Sequence, residues 1–241
     1  MDRTHMEARM RRKTQQSGFT LVEIAIVLVI IGLLLGGILK GQELINSAKV
    51  KNLANDFRVI PTYIYAFQDK FKALPGDDAQ VQAHVSGSAL ASTPAGVQGN
   101  GVINGHWNST TATDESFLFW QHVRLSNLAA GPTDVTDATY RPTNAVGGHI
   151  GISSTTATPQ ITGMTGTYQV CSKSVLGKFA VQLDVQMDDG QPCTGSMRAI
   201  ADIGTGTGLG STPVWAGTAA PAGCGGAQLN ADTTYTVCMT F

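Results

Sequence analysis

The sequence predicts an α+β protein in which one long N-terminal α-helix packs on an antiparallel β-sheet domain with long loops. Residues 19–39 form an unbroken apolar run, residues 42–72 continue it with helical periodicity, and the remainder is rich in Gly, Ser and Thr but poor in charge. The first two patterns are typical of a helix that starts in a membrane and continues outside it. The composition of the remainder favours a β-rich domain with many loops.

The apolar run is long enough to cross a membrane. It has 21 residues, and its only charge is Glu23. A helix of that length spans a hydrocarbon layer of roughly 30 Å. Five basic residues precede it and only Lys40 follows closely, so we expect a cytoplasmic N-terminus and an exported C-terminal part. A secretory signal peptide is disfavoured because the run is too long and residues 39–42 are not a small-residue cleavage site.

Charge is divided unevenly between the two ends of the chain. Residues 1–18 carry five basic and two acidic groups, whereas residues 73–241 carry five basic and eleven acidic groups, a net charge of −6. A surface that binds nucleic acid through its phosphates needs the opposite sign. We therefore expect no nucleic-acid binding by the C-terminal part.

Glu23 admits two interpretations when it is considered alone. A carboxylate inside a membrane span is costly, which makes it a candidate functional group. Its position, five residues into the run, also lets it reach the cytoplasmic headgroups.

The residues around Glu23 favour the functional interpretation. A basic leader is followed by Ser17-Gly18-Phe19-Thr20-Leu21-Val22-Glu23 and then by the apolar run. This pattern resembles the processing motif of type IV pilins and type II secretion pseudopilins. The resemblance implies a pilin fold, cleavage after Gly18 by a prepilin peptidase that removes residues 1–18, and N-methylation of the new terminus at Phe19.

The same resemblance implies an assembly role for Glu23. Cleavage leaves an amine at Phe19 in apolar surroundings, where an unpaired charge is costly. The Glu23 carboxylate of an adjacent subunit would neutralise it and fix the register between neighbours. The apolar helices would bundle in a filament core, through the head-to-tail contacts that generate open helical assemblies.

The predicted function is that of a structural subunit, a minor pilin, in a type IV pilus-like filament. The implied partners are other pilin subunits, the prepilin peptidase and an inner-membrane assembly platform. The subunit would sit in the bacterial inner membrane with a periplasmic C-terminal domain before it enters the filament. Two alternatives stay open: a type II secretion pseudopilin, and a membrane-anchored adhesin or binding module that never polymerises.

We expect no enzymatic activity and no cofactor. The sequence contains no Gly-x-Ser-x-Gly, His-Glu-x-x-His or Walker motif, and the glycine-rich residues 204–210 lack the lysine of a phosphate loop. His106, His122 and His149 are scattered without carboxylates at ligand spacing, and we expect His122 to form hydrogen bonds from a helix face.

The helix is predicted to continue over residues 40–73 and to end at Leu74-Pro75-Gly76-Asp77. One apolar stripe on this part is expected to pack on the C-terminal domain; it consists of Leu53, Phe57, Ile60, Ile64, Phe67 and Phe71. Pro61 predicts a bend near residues 59–60. Four glycines either loosen the helix on assembly or permit close helix packing; they are Gly32, Gly36, Gly37 and Gly41.

Residues 74–241 are predicted to form the exported domain. We expect a helix over residues 114–129 that is capped by Asp114, and strands over residues 166–171 and 235–241. Residues 174–190 fit either a strand or a helix. Residues 67–77, 119–122, 187–192 and 195–199 resemble a subgroup of minor-pilin-like proteins, which favours a helix over residues 174–189.

Four cysteines lie in this domain, where an oxidising periplasm favours disulfides. They are Cys171, Cys193, Cys224 and Cys238, and they allow three pairings. Pairing Cys171 with Cys193 and Cys224 with Cys238 is preferred because each bond closes a short loop. A disulfide loop at the C-terminus is also common in pilins.

Two acidic or glycine-rich stretches could contact a hard cation such as Ca²⁺, which binds several oxygen atoms. The first contains Asp184, Asp188 and Asp189, and we interpret it as a helix end followed by a solvated turn. The second is residues 99–104, which we interpret as a turn. The sequence therefore assigns no metal site.

Overall fold

The computed structural model describes residues 18–156, 160–202, 211–217, 220–222 and 224–241. Residues 1–17 of the leader and the glycine-rich residues 204–210 lie outside this part of the chain. The elements are α1 (Leu21–Phe71), α2 (Val81–His84), α3 (Glu115–Leu125), β1 (Ile150–Ser154), β2 (Tyr168–Leu176), α4 (Gly177–Met187), β3 (Met197–Ala201) and β4 (Thr234–Thr240). The chain divides into two compact units, one ending at Ile45 and one running from Asn46 to Phe241.

Helix α1 confirms the long N-terminal helix. It ends at Phe71, three residues before the Leu74-Pro75-Gly76-Asp77 turn. The helix continues through Pro61, and the hydroxyl of Thr62 donates a hydrogen bond to the carbonyl of Val59 at 2.6 Å. The bend near residues 59–60 stays a prediction.

The apolar stripe of α1 packs in the core of the C-terminal unit, as predicted. The helix residues buried there are Val50, Leu53, Ala54, Phe57, Ile60, Ile64 and Phe67. Phe57 and Ile64 share one apolar cluster with Phe119 from α3 and with Val170 and Val237 from the sheet. Burial of these side chains against helix and sheet is the main favourable contribution to the fold.

The four strands form one antiparallel sheet in the order β1-β2-β4-β3. The sheet confirms the α+β class. Strand β2 extends past residue 171 to Leu176, which pairs with Thr234, so helix α4 begins at Gly177 and not at residue 174. A Cβ on Gly177 would lie 2.1 Å from the carbonyl oxygen of Asn230, which explains the glycine where strand turns into helix.

Helix α3 is shorter than predicted and is not capped by the Asp114 side chain. Asp114 occupies the N-cap position but forms no side-chain capping bond. Its carboxylate instead accepts hydrogen bonds from the hydroxyls of Thr93 and Ser109. The helix ends at Leu125, since Asn127 adopts a left-handed conformation with φ of 60°.

The preferred disulfide pairing is wrong. Cys171 is bonded to Cys238, and Cys193 is bonded to Cys224. The sheet register explains the first bond, because Cys171 on β2 and Cys238 on β4 are directly paired residues of adjacent strands. Both of these cysteines are fully buried, so the bond lies within the core.

Candidate functional site

The start of α1 brings Thr20 and Glu23 into a reciprocal cap. The backbone N–H and the hydroxyl of Thr20 each donate to Glu23 Oε2 at 2.8 Å. In return, the Glu23 N–H donates to Thr20 Oγ1 at 3.2 Å. This capping box satisfies two backbone donors of the first helical turn and holds the carboxylate next to the chain before the helix.

The role of Thr20 was not predicted, although the sequence carries a signal for it. Thr20-Leu21-Val22-Glu23 matches the Ser/Thr-x-x-Glu pattern of a capping box in front of an apolar run. Thr20 therefore positions the side chain of Glu23.

Gly18 and Phe19 precede the first helical residue and are exposed to solvent. The Phe19 side chain is 82% exposed. The peptide bond between these two residues therefore lies in non-helical, accessible backbone.

The N-terminal unit presents an apolar helix surface. Part of α1 is long and apolar enough to cross a membrane, and none of that window is buried. The large apolar side chains exposed between residues 19 and 39 are Phe19, Leu21, Val22, Ile24, Ile26, Val27, Leu28, Val29, Ile30, Ile31, Leu33, Leu34, Leu35, Ile38 and Leu39. An apolar surface of this size is larger than soluble monomeric proteins normally expose.

Four glycines interrupt this apolar surface. A methyl group placed on Gly32, Gly36, Gly37 or Gly41 would meet no atom of the described chain within 4 Å, apart from the helix's own backbone and chain neighbours. The backbone at these positions is therefore open to close approach by a second helix. The first charged pair after the run is Lys40 with Glu43, whose Nζ and Oε2 atoms are 2.6 Å apart.

Asp77 fixes the glycine-rich turn at residues 99–104. Its buried carboxylate accepts N–H donors from Gly99 at 2.6 Å, Asn100 at 3.1 Å and Gly101 at 2.8 Å. These N–H groups point at an anion, so the segment is a turn bound to a carboxylate, as the sequence analysis preferred. Burial raises the pKa of Asp77.

Asp78 forms a second contact, which was not predicted. Its Oδ2 lies 2.6 Å from Nδ1 of His84, and the His84 ring stacks on Phe71 with ring centroids 5.5 Å apart. Asp78 and His84 line a cavity of about 540 Å³, together with Lys72 and Tyr168. The two residues are six apart in the sequence, and His84 is carried by the short helix α2, which begins three residues after Asp78.

Helix α3 carries two fully buried titratable side chains, Glu115 and His122. Oε2 of Glu115 accepts the N–H of Asn104 at 2.7 Å, and burial raises the pKa of Glu115 to about 7. Nδ1 of His122 accepts the N–H of Gly76 at 2.9 Å, and Nε2 lies 2.8 Å from the carbonyl of Ala89. Burial lowers the pKa of His122, so the neutral ring accepts at Nδ1 and donates at Nε2. Both side chains tie loops to α3.

The end of α4 brings three carboxylates together. Asp184, Asp188 and Asp189 each place one oxygen within 4.8 Å of the others. Among the residues that the structure describes, this is the one cluster of three or more His, Cys, Asp or Glu side chains with metal-ligand spacing. The cluster does not include His106, His122 or His149.

Comparison with known proteins gives one match. Residues 13–39 match the family model described as the prokaryotic N-terminal methylation motif. The match covers Gly18, Phe19, Glu23 and the whole apolar run. No curated protein and no solved structure matches the chain at a significant level.

Proposed function

We propose that this chain, which resembles type IV pilins and pseudopilins in its N-terminal motif and its α+β fold, is a structural subunit of a type IV pilus-like filament. The finer assignment is a minor pilin. The observation that supports it best is the methylation motif at residues 13–39, which includes the part of helix α1 whose large apolar side chains are exposed. A structural protein, and not an enzyme, is what such a motif indicates.

The first step is processing at the start of α1. A prepilin peptidase cuts between Gly18 and Phe19, on the cytoplasmic side of the membrane, and N-methylates Phe19. The open backbone before Leu21 supports this step, because the bond to be cut is not held in the helix. The apolar segment stays in the product as its anchor.

The second step is a change of partner for Glu23. In the precursor, the carboxylate is held by Thr20 of the same chain. After cleavage, the amine of Phe19 in a neighbouring subunit offers an oppositely charged partner, which lowers the cost of keeping either charge in apolar surroundings. The pair sets the axial register between subunits, while the apolar faces provide the affinity.

The third step moves the subunit from the inner membrane into the filament. Other pilin subunits cover the apolar surface that lipid covers in the precursor, so the helix passes from one apolar environment to another. An inner-membrane assembly platform drives this transfer. The C-terminal unit, with its own core and two disulfides, stays on the periplasmic side and then on the filament.

Glu23→Ala tests this proposal, with Glu43→Ala as the matched control. Both residues lie on α1, but Glu43 follows the apolar run and pairs with Lys40 on the surface. In the producing bacterium, the Glu23 variant should accumulate in the membrane and be absent from filaments sheared off the cells. The Glu43 variant should enter filaments like the wild type. Normal incorporation of the Glu23 variant would refute the stacking role.

The main alternative is a type II secretion pseudopilin, which the same motif fits. Its short filament stays in the periplasm, so the subunit would remain cell-bound after shearing at normal expression. Recovery of the subunit in the sheared fraction supports the pilus assignment. A membrane-anchored adhesin or binding module predicts that Glu23→Ala changes no contact with other subunits.

A further inference from the structure

A small cavity lies between α1 and α3 in the C-terminal unit. Its volume is about 200 Å³. The side chains of Asn55, Asp56 and Tyr63 line it from α1, and those of Trp120 and Arg124 line it from α3. The filament role proposed above assigns no task to these side chains.

Arg124 brings a buried positive charge to the wall of this cavity. Only 7% of the residue is exposed, and none of the ion pairs formed by described residues includes it. One of its terminal nitrogens donates to the carbonyls of Pro132 at 2.8 Å and Tyr140 at 2.7 Å. Its Nε is buried and has no hydrogen-bond partner in the described part of the chain. Carbonyl groups carry only partial charges, so the guanidinium lacks a full counter-charge.

The Arg124 guanidinium is held in place before any ligand binds. Its central carbon lies 5.7 Å from the ring centroid of Trp120 and 5.2 Å from that of Tyr140. A Cβ on Gly131 would lie 2.6 Å from Arg124 Nε, so the backbone packs directly on this group. The aromatic rings offset part of the cost of burying the charge but do not neutralise it. Burial lowers the pKa of Arg124, which is the effect expected for a cation withdrawn from water.

Asp56 brings a negative charge to the α1 side of the same cavity. Its carboxylate is half-buried and forms neither an ion pair nor a hydrogen bond with another described residue. Burial raises the pKa of Asp56 to about 6. Since Asp56 and Arg124 do not pair with each other, the cavity offers two separate charges of opposite sign.

Tyr63 lies within electrostatic reach of both charges. Burial raises the pKa of Tyr63, Asp56 raises it further, and Arg124 lowers it. Neither the Tyr63 hydroxyl nor the Asn55 amide is hydrogen-bonded to another side chain or backbone group that the structure describes. The cavity therefore collects two charged and two neutral polar groups, all of which retain unused hydrogen-bonding capacity.

We propose that this cavity binds a small aliphatic carboxylate that also carries an amino or hydroxyl group, the chemistry of an α-amino or α-hydroxy acid. The carboxylate of the ligand pairs with Arg124, whose planar guanidinium suits carboxylate geometry. The amino or hydroxyl group donates to Asp56. A simple anion fits less well, because it would leave the Asp56 carboxylate without a donor.

The size and the remaining wall of the cavity restrict the ligand further. Cavities that bind drug-sized molecules have volumes of roughly 300–1,000 Å³, so a cavity of about 200 Å³ suits a ligand with few heavy atoms. Val59, Ile60, Pro142 and Ile150 supply an apolar surface for an aliphatic side chain. The site does not depend on whether the chain polymerises.

Calorimetric titration of the dialysed, full-length protein in a non-ionic detergent tests the site. The probes are L-valine, its α-hydroxy analogue and isovalerate, which has the same carbon skeleton but no donor. At pH 7.5, where Asp56 is ionised, we expect the better of the first two probes to bind once per chain with Kd on the order of 10⁻⁴ M. Isovalerate should bind at least tenfold more weakly. Absence of binding heat with both L-valine and its hydroxy analogue would overturn the proposal, and so would equal affinity for isovalerate.

Asp56→Asn and Arg124→Lys locate the binding. Asp56→Asn removes a charge that has no partner in the described chain, and Arg124→Lys keeps a positive donor for the two carbonyls, so both variants should fold. Each should weaken binding of the better probe at least fivefold. Asp69→Asn is the matched control, because Asp69 is an exposed carboxylate of α1 outside the cavity, and it should leave the affinity unchanged. Wild-type affinity in both cavity variants would contradict the assignment.

A purely structural role of Arg124, in which it only ties the carbonyls of Pro132 and Tyr140 to α3, is the competing explanation. In that case neither L-valine nor its hydroxy analogue would change the thermal unfolding midpoint of the wild type. With a ligand site, a saturating concentration of the better probe raises the midpoint of the wild type and raises that of Asp56→Asn less.

Discussion

The disulfide between Cys171 and Cys238 ties two neighbouring strands across 67 residues of chain, and its removal should destabilise the C-terminal unit strongly. We consider the double variant Cys171→Ala and Cys238→Ala, because alanine introduces no polar atom at two fully buried positions. In the chain-entropy model, a loop of this length contributes about 4.4 kcal/mol at 25 °C. For the disulfide between Cys193 and Cys224, which are 31 residues apart, the same model gives a stabilisation of about 3.7 kcal/mol.

Urea unfolding of the full-length protein in detergent, followed by tryptophan fluorescence, measures the loss. Trp107 and Trp120 are buried, so their emission reports on the core. The Cys171 and Cys238 variant should lose about 4 kcal/mol, or more where the deleted sulfurs leave a cavity. The Cys193 and Cys224 variant is the matched control and should lose less.

Two results would contradict this expected order of stabilities. One is a larger loss for the Cys193 and Cys224 variant, because it would show that loop length and burial do not set the order. The other is a non-reduced peptide map that links Cys171 to Cys193, since that bond is incompatible with the register of β2 and β4.

Two further changes test the core and the buried carboxylate. Ile64→Ala should cost about 2–5 kcal/mol of unfolding free energy, whereas Tyr65→Ala, one residue on and 58% exposed, should cost about 0.5 kcal/mol or less; equal losses would contradict the packing of α1. Glu115 has its pKa raised from 4.5 to about 7, so its contribution to stability is present below pH 4.5 and is lost as pH rises through 7. The free energy of unfolding of Glu115→Gln, measured relative to that of the wild type by urea titration, should therefore rise by about 3 kcal/mol between pH 4.5 and pH 8. A difference between the two proteins that does not change with pH would show that the pKa of the carboxyl is not raised.

The long helix could be predicted because its signals are local. The spacing of Leu53, Phe57 and Ile60 follows the helical period directly, and the structure buries all three. The length of the apolar run and the single Glu23 are equally visible in sequence. The capping role of Thr20 is local as well, and it was overlooked although its four-residue pattern is visible in the sequence.

The disulfide pairing and several carboxylate roles could not be predicted, because they depend on strand order and loop paths. Cys171 meets Cys238 only because β4 lies beside β2 in the sheet. Asp114 sits at a helix start, where capping is the local expectation, but hydroxyls from two other loops bind it. Asp184 is buried only once the loop after α4 folds back over the helix end.

Mass spectrometry of the protein isolated from the producing bacterium identifies the native N-terminus. We expect a mature chain that begins at Phe19, carries an N-methyl group on its terminal amine and retains the apolar segment. A native chain that still begins at Met1, or one trimmed beyond Leu39, would contradict it.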